Sequence, residues 1–274
     1  MRLIAYSTPD GPVLGTVNGD TVTPVGPVDR VYERLASTGR AVLAERAGPD
    51  VALDGLTIVP PVPSDARVFC LGLNYRAHIA ETGASQPAAP NIFGRWRSTL
   101  VGPGAEIPVP PGEVGLDWEA ELAAIVGAPL LDVDAADAQQ AVLGYTCFND
   151  VSARTFQKAV PQFTVGKNAD ASGPIGPVVV TPDELGDPYD LAISCRVDGE
   201  TMQSGSTGQM ILRVPETLAY ISRCLTLRPG DVLATGTPEG VGFARTPPVL
   251  MGPGQSVEVE IEGIGVLANR IVAR

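Results

Sequence analysis

Glycine and proline punctuate this chain so densely that a bundle of long helices is excluded as its fold. There are 31 Gly and 26 Pro in 274 residues. Proline removes a backbone donor and glycine loosens the chain, so both break helices and favour turns. Hydrophobic residues still make up 44% of the sequence and charged residues only 18%, enough apolar surface for a sizeable core. The pattern predicts an α+β, mostly β protein of short strands, turns and short helices.

Residues 1–26 read as short strands, with VLGTV and DTVTPV flanking Asn18-Gly19, a strong hairpin signal. A helix is expected over Val28–Ala47, with Val31, Leu35 and Ala36 on its apolar face. Pro60, Pro61 and Pro63 then stiffen an extended linker. A boundary there divides a small N-terminal α/β domain (1–62) from a larger domain (63–274). The first part is too short to bury much alone and is expected to pack on the rest. Beyond it, RVFCLGLNY and DWEAELAAIV read as buried strands, and YTCFND as another that runs into a helical VSARTFQKA. Asp198-Gly199 marks a second hairpin, VPETLAYISRCLTL an amphipathic helix, and SVEVEIEGIGVLANRIV two closing strands.

The net charge of −12 argues against nucleic acid and anionic membranes, which require a basic face. No run reaches the roughly eighteen apolar residues of a membrane span, and the N-terminus carries no leader pattern. The expectation is a cytoplasmic protein. Cys70, Cys147, Cys195 and Cys224 lie far apart without a CxxC pair and read as reduced core thiols. A small anionic substrate would need local positive charge from a cation or from a few placed Arg and Lys.

The chain contains one histidine, His78, so no site can use two or three imidazoles. His78 and Glu81 are three residues apart in NYRAHIAE. On a helix the carboxylate can reach the ring and orient it as a general base; the alternative is a solvated surface pair. In DWEAEL, strand alternation puts Asp117, Glu119 and Glu121 on one face. Packed carboxylates repel unless a cation sits among them, and oxygen ligands select a hard ion, Mg²⁺ or Mn²⁺, with Ca²⁺ as a third candidate. An acidic edge strand facing water would give the same pattern. Asp150 ends an apolar strand, as a third ligand or as a helix N-cap. Arg154 and Gln157 follow on one helix face. The loop GTPEGVG lacks the Gly-Lys-Ser/Thr ending of a phosphate loop, so its amides are expected to approach a carboxylate or oxyanion instead. By default Lys167 reads as a surface lysine.

Together the blocks GLNYRAHIAE, FGRWRSTLVGPG, LDWEAELAAIVG, GYTCFNDVSAR, VGKNADASGPIGP, LTLRPGDVLATGTPEGVG and VEIEGIGVLAN, in this order, resemble the fumarylacetoacetate hydrolase family over residues 67–274. The resemblance implies a mixed β-sandwich roll, usually dimeric, and an acylpyruvase-like metal enzyme. It implies Glu119, Glu121 and Asp150 as metal ligands, and His78–Glu81 as a dyad that activates water. It implies Arg154, Gln157, Lys167 and Thr237 as polar groups near the substrate, with Lys167 and Gln157 as donors toward an oxyanion. The reaction implied is hydrolysis of a C–C bond in a small 2,4-dioxo acid. Decarboxylation of oxaloacetate and isomerisation or hydration of a related acid are alternatives on the same site. A non-catalytic metal-binding scaffold is the alternative of another class, and the dyad argues against it. Arg95 stands where many members carry Lys, so a forked, bidentate grip on the substrate carboxylate is expected there.

Overall fold

Alternating apolar residues at the two chain ends close hairpins. The computed structural model, which describes all 274 residues, places the Asn18 hairpin one residue later than its strongest signal. Asn18 pairs with Thr21, so Gly19, at φ +63°, and Asp20 form the turn. At Asp198-Gly199 the register is the expected one, Val197 opposite Glu200. The closing strands run Ser256–Ile261 and Gly265–Ala273.

Two mixed sheets, of twelve and five strands, make the mostly β architecture. The N-terminal meander (Arg2–Thr8, Gly11–Asn18, Thr21–Pro27) joins the larger sheet where Arg2 pairs with Val180. Leu3 and Leu14 share one apolar cluster with Val68, Ala123 and Val232. Residues 1–62 therefore bury their apolar face on the rest of the chain. The second sheet shares another core with the first, in which Trp118 and Leu122 meet Ile193, Val259 and Leu267. No helix is long and apolar enough to cross a membrane.

Two expectations need correction. The first helix is α-helical only over Val28–Thr38, because Gly39 takes a left-handed φ of +59° and a 3₁₀ turn follows to Ala44. Its buried stripe is Val28, Val31, Tyr32 and Leu35, so Ala36 faces solvent, off the stripe. All four cysteines are free, but only Cys70, Cys147 and Cys195 are buried; Cys224 is exposed just past the helix Val214–Ser222.

The strand carrying the candidate ligands, Ala120–Val126, is buried throughout and lies between Val142–Asn149 and Val232–Ala234. It begins three residues after Asp117. The Glu119 N–H donates to the Asn149 side chain (3.1 Å) rather than to a strand carbonyl, and Asp117 pairs with Ser152 as an isolated bridge. This irregular strand end turns three carboxylates inward.

Candidate metal centre and proton-transfer dyad

Glu119, Glu121 and Asp150 converge although they come from two strands. Ala120 pairs with Asn149, and the Asp150 N–H donates to the Glu119 carbonyl (3.0 Å), which brings both strand ends to one point. One ligand oxygen from each of the three carboxylates lies within 4.8 Å of the others, and all three residues are buried.

Three buried cations surround the triad. Lys167 Nζ lies 2.7 Å from Glu119 Oε2 and 2.6 Å from Asp150 Oδ2. Its position depends on Gly166, because a Cβ there would sit 2.3 Å from the backbone nitrogen of Gln157. Arg154, on the helix Arg154–Lys158, pairs with Asp117 (2.8 Å) and Glu119 (2.7 Å) and donates to Gln157 Oε1. Arg95 donates to Asp150 Oδ1 (2.5 Å) and to Ser172 Oγ (2.6 Å).

Charge therefore balances unevenly. Burial pushes Glu119 upward, but Lys167 and Arg154 outweigh it and hold its carboxyl at about 2. Glu121 is driven the other way: burial raises it well above the ordinary carboxylate range, and the charges of Asp150 and Glu119 add to the effect. The one hydrogen bond to its side chain comes from the Gly236 N–H (2.9 Å), and no cation pairs with it. Four carboxylates (Asp117, Glu119, Glu121, Asp150) thus face three cations, so that an ionised Glu121 would be one negative charge without a partner. An all-oxygen donor set with an uncompensated buried carboxylate fits a hard divalent cation, whose charge would remove the penalty on Glu121.

The dyad lies on the helix Arg76–Thr82. His78 Nδ1 is 2.8 Å from Glu81 Oε1, and no protein group engages the other ring nitrogen, Nε2. With the Nδ1 proton on the carboxylate side, Nε2 carries the lone pair of a base.

A cavity of about 310 Å³ joins the two groups. His78, Glu119, Glu121, Asp150, Arg154, Gln157, Lys167 and Thr237 line it. Arg95 does not. It lies behind Asp150 with a fully buried guanidinium, so the expected bidentate grip on a substrate carboxylate is replaced by a grip on a protein carboxylate. Lys167, a surface lysine by default, is buried within the triad.

The Gly-rich loop after Val232–Ala234 has a role that residue spacing only half revealed. Its amides do approach carboxylates, but these are the protein's own. Gly236 N–H donates to Glu121, Gly240 N–H to Glu81 (2.8 Å), and Gly242 and Phe243 N–H to Asp117 (2.7 and 3.0 Å). These donors are spent and cannot serve a substrate oxyanion. Thr237 Oγ1 accepts from Gln203 Nε2 (2.8 Å).

Asp117 was grouped with the ligands by strand alternation, but it anchors Arg154 and this loop instead. Asp117→Ala removes one of the three partners of the buried Arg154 and orphans three amides, those of Trp118, Gly242 and Phe243. We expect a loss of about 3–5 kcal/mol in urea unfolding; a loss below about 1 kcal/mol would contradict this anchoring role.

Sequence reasoning also missed the cavity's apolar wall, formed by Phe93, Phe163, Phe243 and Leu73. One signal was available. The chain has only 6 Phe, and half of them line this cavity.

Fold and site together define a mostly β class of protein that gathers a buried carboxylate triad and a His–Glu pair in one cleft. The fumarylacetoacetate hydrolase C-terminal family model matches residues 67–272, and the chain belongs to the fumarylacetoacetate hydrolase family. The human mitochondrial oxaloacetate tautomerase FAHD2A is 38% identical over 289 residues, covering 99% of this chain and 92% of that protein. Among solved structures, fumarylacetoacetate hydrolase from Exiguobacterium antarcticum matches with a TM-score of 0.86 at 35% identity, covering 100% of both chains. The 2-hydroxyhepta-2,4-diene-1,7-dioate isomerase from Mycobacterium marinum matches with a TM-score of 0.82 at 33% identity, covering 100% of this chain and 99% of that one. Enzymes of this family act on small 2-oxo acids and use divalent metals, and the Glu–Glu–Asp cluster suits that chemistry.

Proposed function

We propose that this enzyme catalyses keto–enol tautomerisation of a small 2-oxo acid of the oxaloacetate type. The observation that carries the reading is the free Nε2 of a Glu81-oriented His78 in the same cavity as the carboxylate triad. Glu119, Glu121 and Asp150 would hold Mg²⁺ or Mn²⁺. Such an ion supplies Lewis-acid stabilisation of negative charge developing on the 2-oxo oxygen.

The remaining work falls to the chain's own residues. His78 Nε2 removes a proton from the carbon next to the 2-oxo group and delivers it to the 2-oxo oxygen to give the enol, and the reverse transfer, from enol oxygen to carbon, gives the keto acid. Glu81 fixes the tautomer and stabilises the imidazolium while it holds that proton. Lys167, fixed between Glu119 and Asp150, and Gln157, fixed by Arg154, present polar edges to the substrate and keep the triad in register. The phenylalanine wall excludes water from the reacting carbon, which favours proton return over water attack.

Hydrolysis of an acylpyruvate, the reaction first implied by the motifs, remains the second reading. The apolar part of the cavity has room for an acyl arm, and His78 could deprotonate water as readily as carbon. Relatives named oxaloacetate tautomerase and 2-hydroxyhepta-2,4-diene-1,7-dioate isomerase support the first reading, and the Exiguobacterium antarcticum relative, named a hydrolase, supports the second.

The test follows EDTA-stripped protein, with and without Mg²⁺ or Mn²⁺, on oxaloacetate, acetylpyruvate and fumarylpyruvate. Metal-dependent decay of the oxaloacetate enol without pyruvate or CO₂ is the expected result. Pyruvate plus a second acid from a dioxo acid would move the assignment to hydrolase, and CO₂ from oxaloacetate would move it to decarboxylase. Metal-independent behaviour on all three would defeat the reading.

A further inference from the structure

We infer that Lys158 receives a second, distal carboxylate, so that the site selects dicarboxylic over monocarboxylic 2-oxo acids. The inference deepens the function proposed above and rests on it. Three cations line the cavity: Arg154, Lys158 and Lys167. Two of them are consumed inside the protein, Lys167 by Glu119 and Asp150, and Arg154 by Asp117 and Glu119. Lys158 alone has neither an ion pair nor a hydrogen-bonded partner. It ends the helix Arg154–Lys158, exposed at the cavity mouth.

Its ammonium is nevertheless held in place. Lys158 Nζ lies 3.9 Å from the centroid of the Phe243 ring, a contact that orients a cation without neutralising it. The same ring also meets the Arg154 guanidinium at 4.3 Å. Desolvation and the neighbouring Arg154 charge lower the Lys158 pKa, so the ammonium gains from any anion that docks beside it.

Charge counting leads to the same conclusion. The buried site carries four carboxylates against three cations, so a divalent ion leaves it one positive charge in excess. That excess matches the single carboxylate next to a 2-oxo group. A second carboxylate would otherwise meet the triad carboxylates or the apolar wall, and Lys158 is the one lining cation without a protein carboxylate against it.

Calorimetry on the full-length, Mg²⁺-loaded enzyme tests this with two probes, 2-oxoglutarate (dicarboxylic) and 2-oxobutyrate (monocarboxylic). Lys158→Met is expected to weaken 2-oxoglutarate about tenfold or more while moving 2-oxobutyrate less than about threefold, and Lys158→Arg is expected to restore the dicarboxylate. The KM for oxaloacetate should rise in parallel with the 2-oxoglutarate Kd. Equal weakening of both acids, no change in either, or no preference for the dicarboxylate in the wild type would overturn the assignment. A wild-type enzyme inert toward oxaloacetate would instead defeat the proposed reaction, and the ratio of the two Kd values would still judge Lys158.

Discussion

His78→Ala is expected to lower metal-dependent turnover of oxaloacetate by about 10²–10⁴-fold, the range contributed by a positioned general base. The protein has no second imidazole to take over, because His78 is its only histidine. The substituted chain should still fold. His78 hydrogen-bonds through its ring only to Glu81, and Glu81 keeps its bond from Gly240 N–H when the ring is gone. Mg²⁺ affinity should change little, since the proposed ligand oxygens belong to Glu119, Glu121 and Asp150 and His78 is not among them. Titration of Mg²⁺ against thermal stability, run beside the kinetics, separates the two effects. Activity within tenfold of wild type would remove His78 from the reaction.

Chelation is expected to abolish activity and to destabilise the fold by a pH-dependent amount, with Glu121 as the cause. Saturation at about 100 times Kd contributes about 2.7 kcal/mol, or roughly 5–10 °C in Tm for a chain of this size. The sign of the pH effect follows from Glu121. Its carboxyl binds a proton more tightly in the folded, metal-free protein than in the unfolded chain, because burial and the charges of Asp150 and Glu119 raise its pKa. The metal-free fold therefore loses stability as pH rises from the ordinary carboxylate range through that raised pKa. A bound cation requires the ionised form, so affinity increases over the same interval. In differential scanning calorimetry the gap between Mg²⁺-loaded and EDTA-treated protein should widen from pH 5 to pH 8. Glu121→Gln should abolish the gap and flatten the pH dependence in EDTA. A gap that stays constant with pH would mean that Glu121 is already ionised without metal.

How much of this was legible in the sequence depended on how local the information was. Alternation and turn residues marked the closing strands and both hairpins because those signals act over two to four residues. The helix at Val28 came out too long, since its apolar spacing runs on past Gly39 while the backbone at Gly39 does not. The convergence of Glu119, Glu121 and Asp150 was foreseeable from matching motif blocks, but the reason for it, an irregular strand end diverted by Asn149, is a tertiary fact. Arg95 shows the limit most clearly. Its guanidinium chemistry suggested a substrate carboxylate, and nothing local in IFGRW revealed that Asp150 and Ser172 already occupy it. Asp117 was misgrouped for a similar reason: its partners lie 37, 125 and 126 residues away.

The loop from Gly236 to Phe243 holds Glu81, Glu121 and Asp117 through main-chain amides, which every amino acid except proline supplies. Its glycines are fixed by space: a Cβ at Gly236 would lie 2.7 Å from the Leu71 carbonyl oxygen, at Gly240 2.5 Å from that of Met202, and at Gly242 1.9 Å from that of Val249. Phe243 carries no such restriction, and its ring forms part of the cavity wall and meets both the buried Arg154 and Lys158 at the rim. Catalytic geometry and substrate preference are thus written in separate alphabets on one short segment, the first in backbone and the second in side chains. A chain built this way could change what it accepts by single substitutions at such wall positions without disturbing the amides that hold Glu81, Glu121 and Asp117.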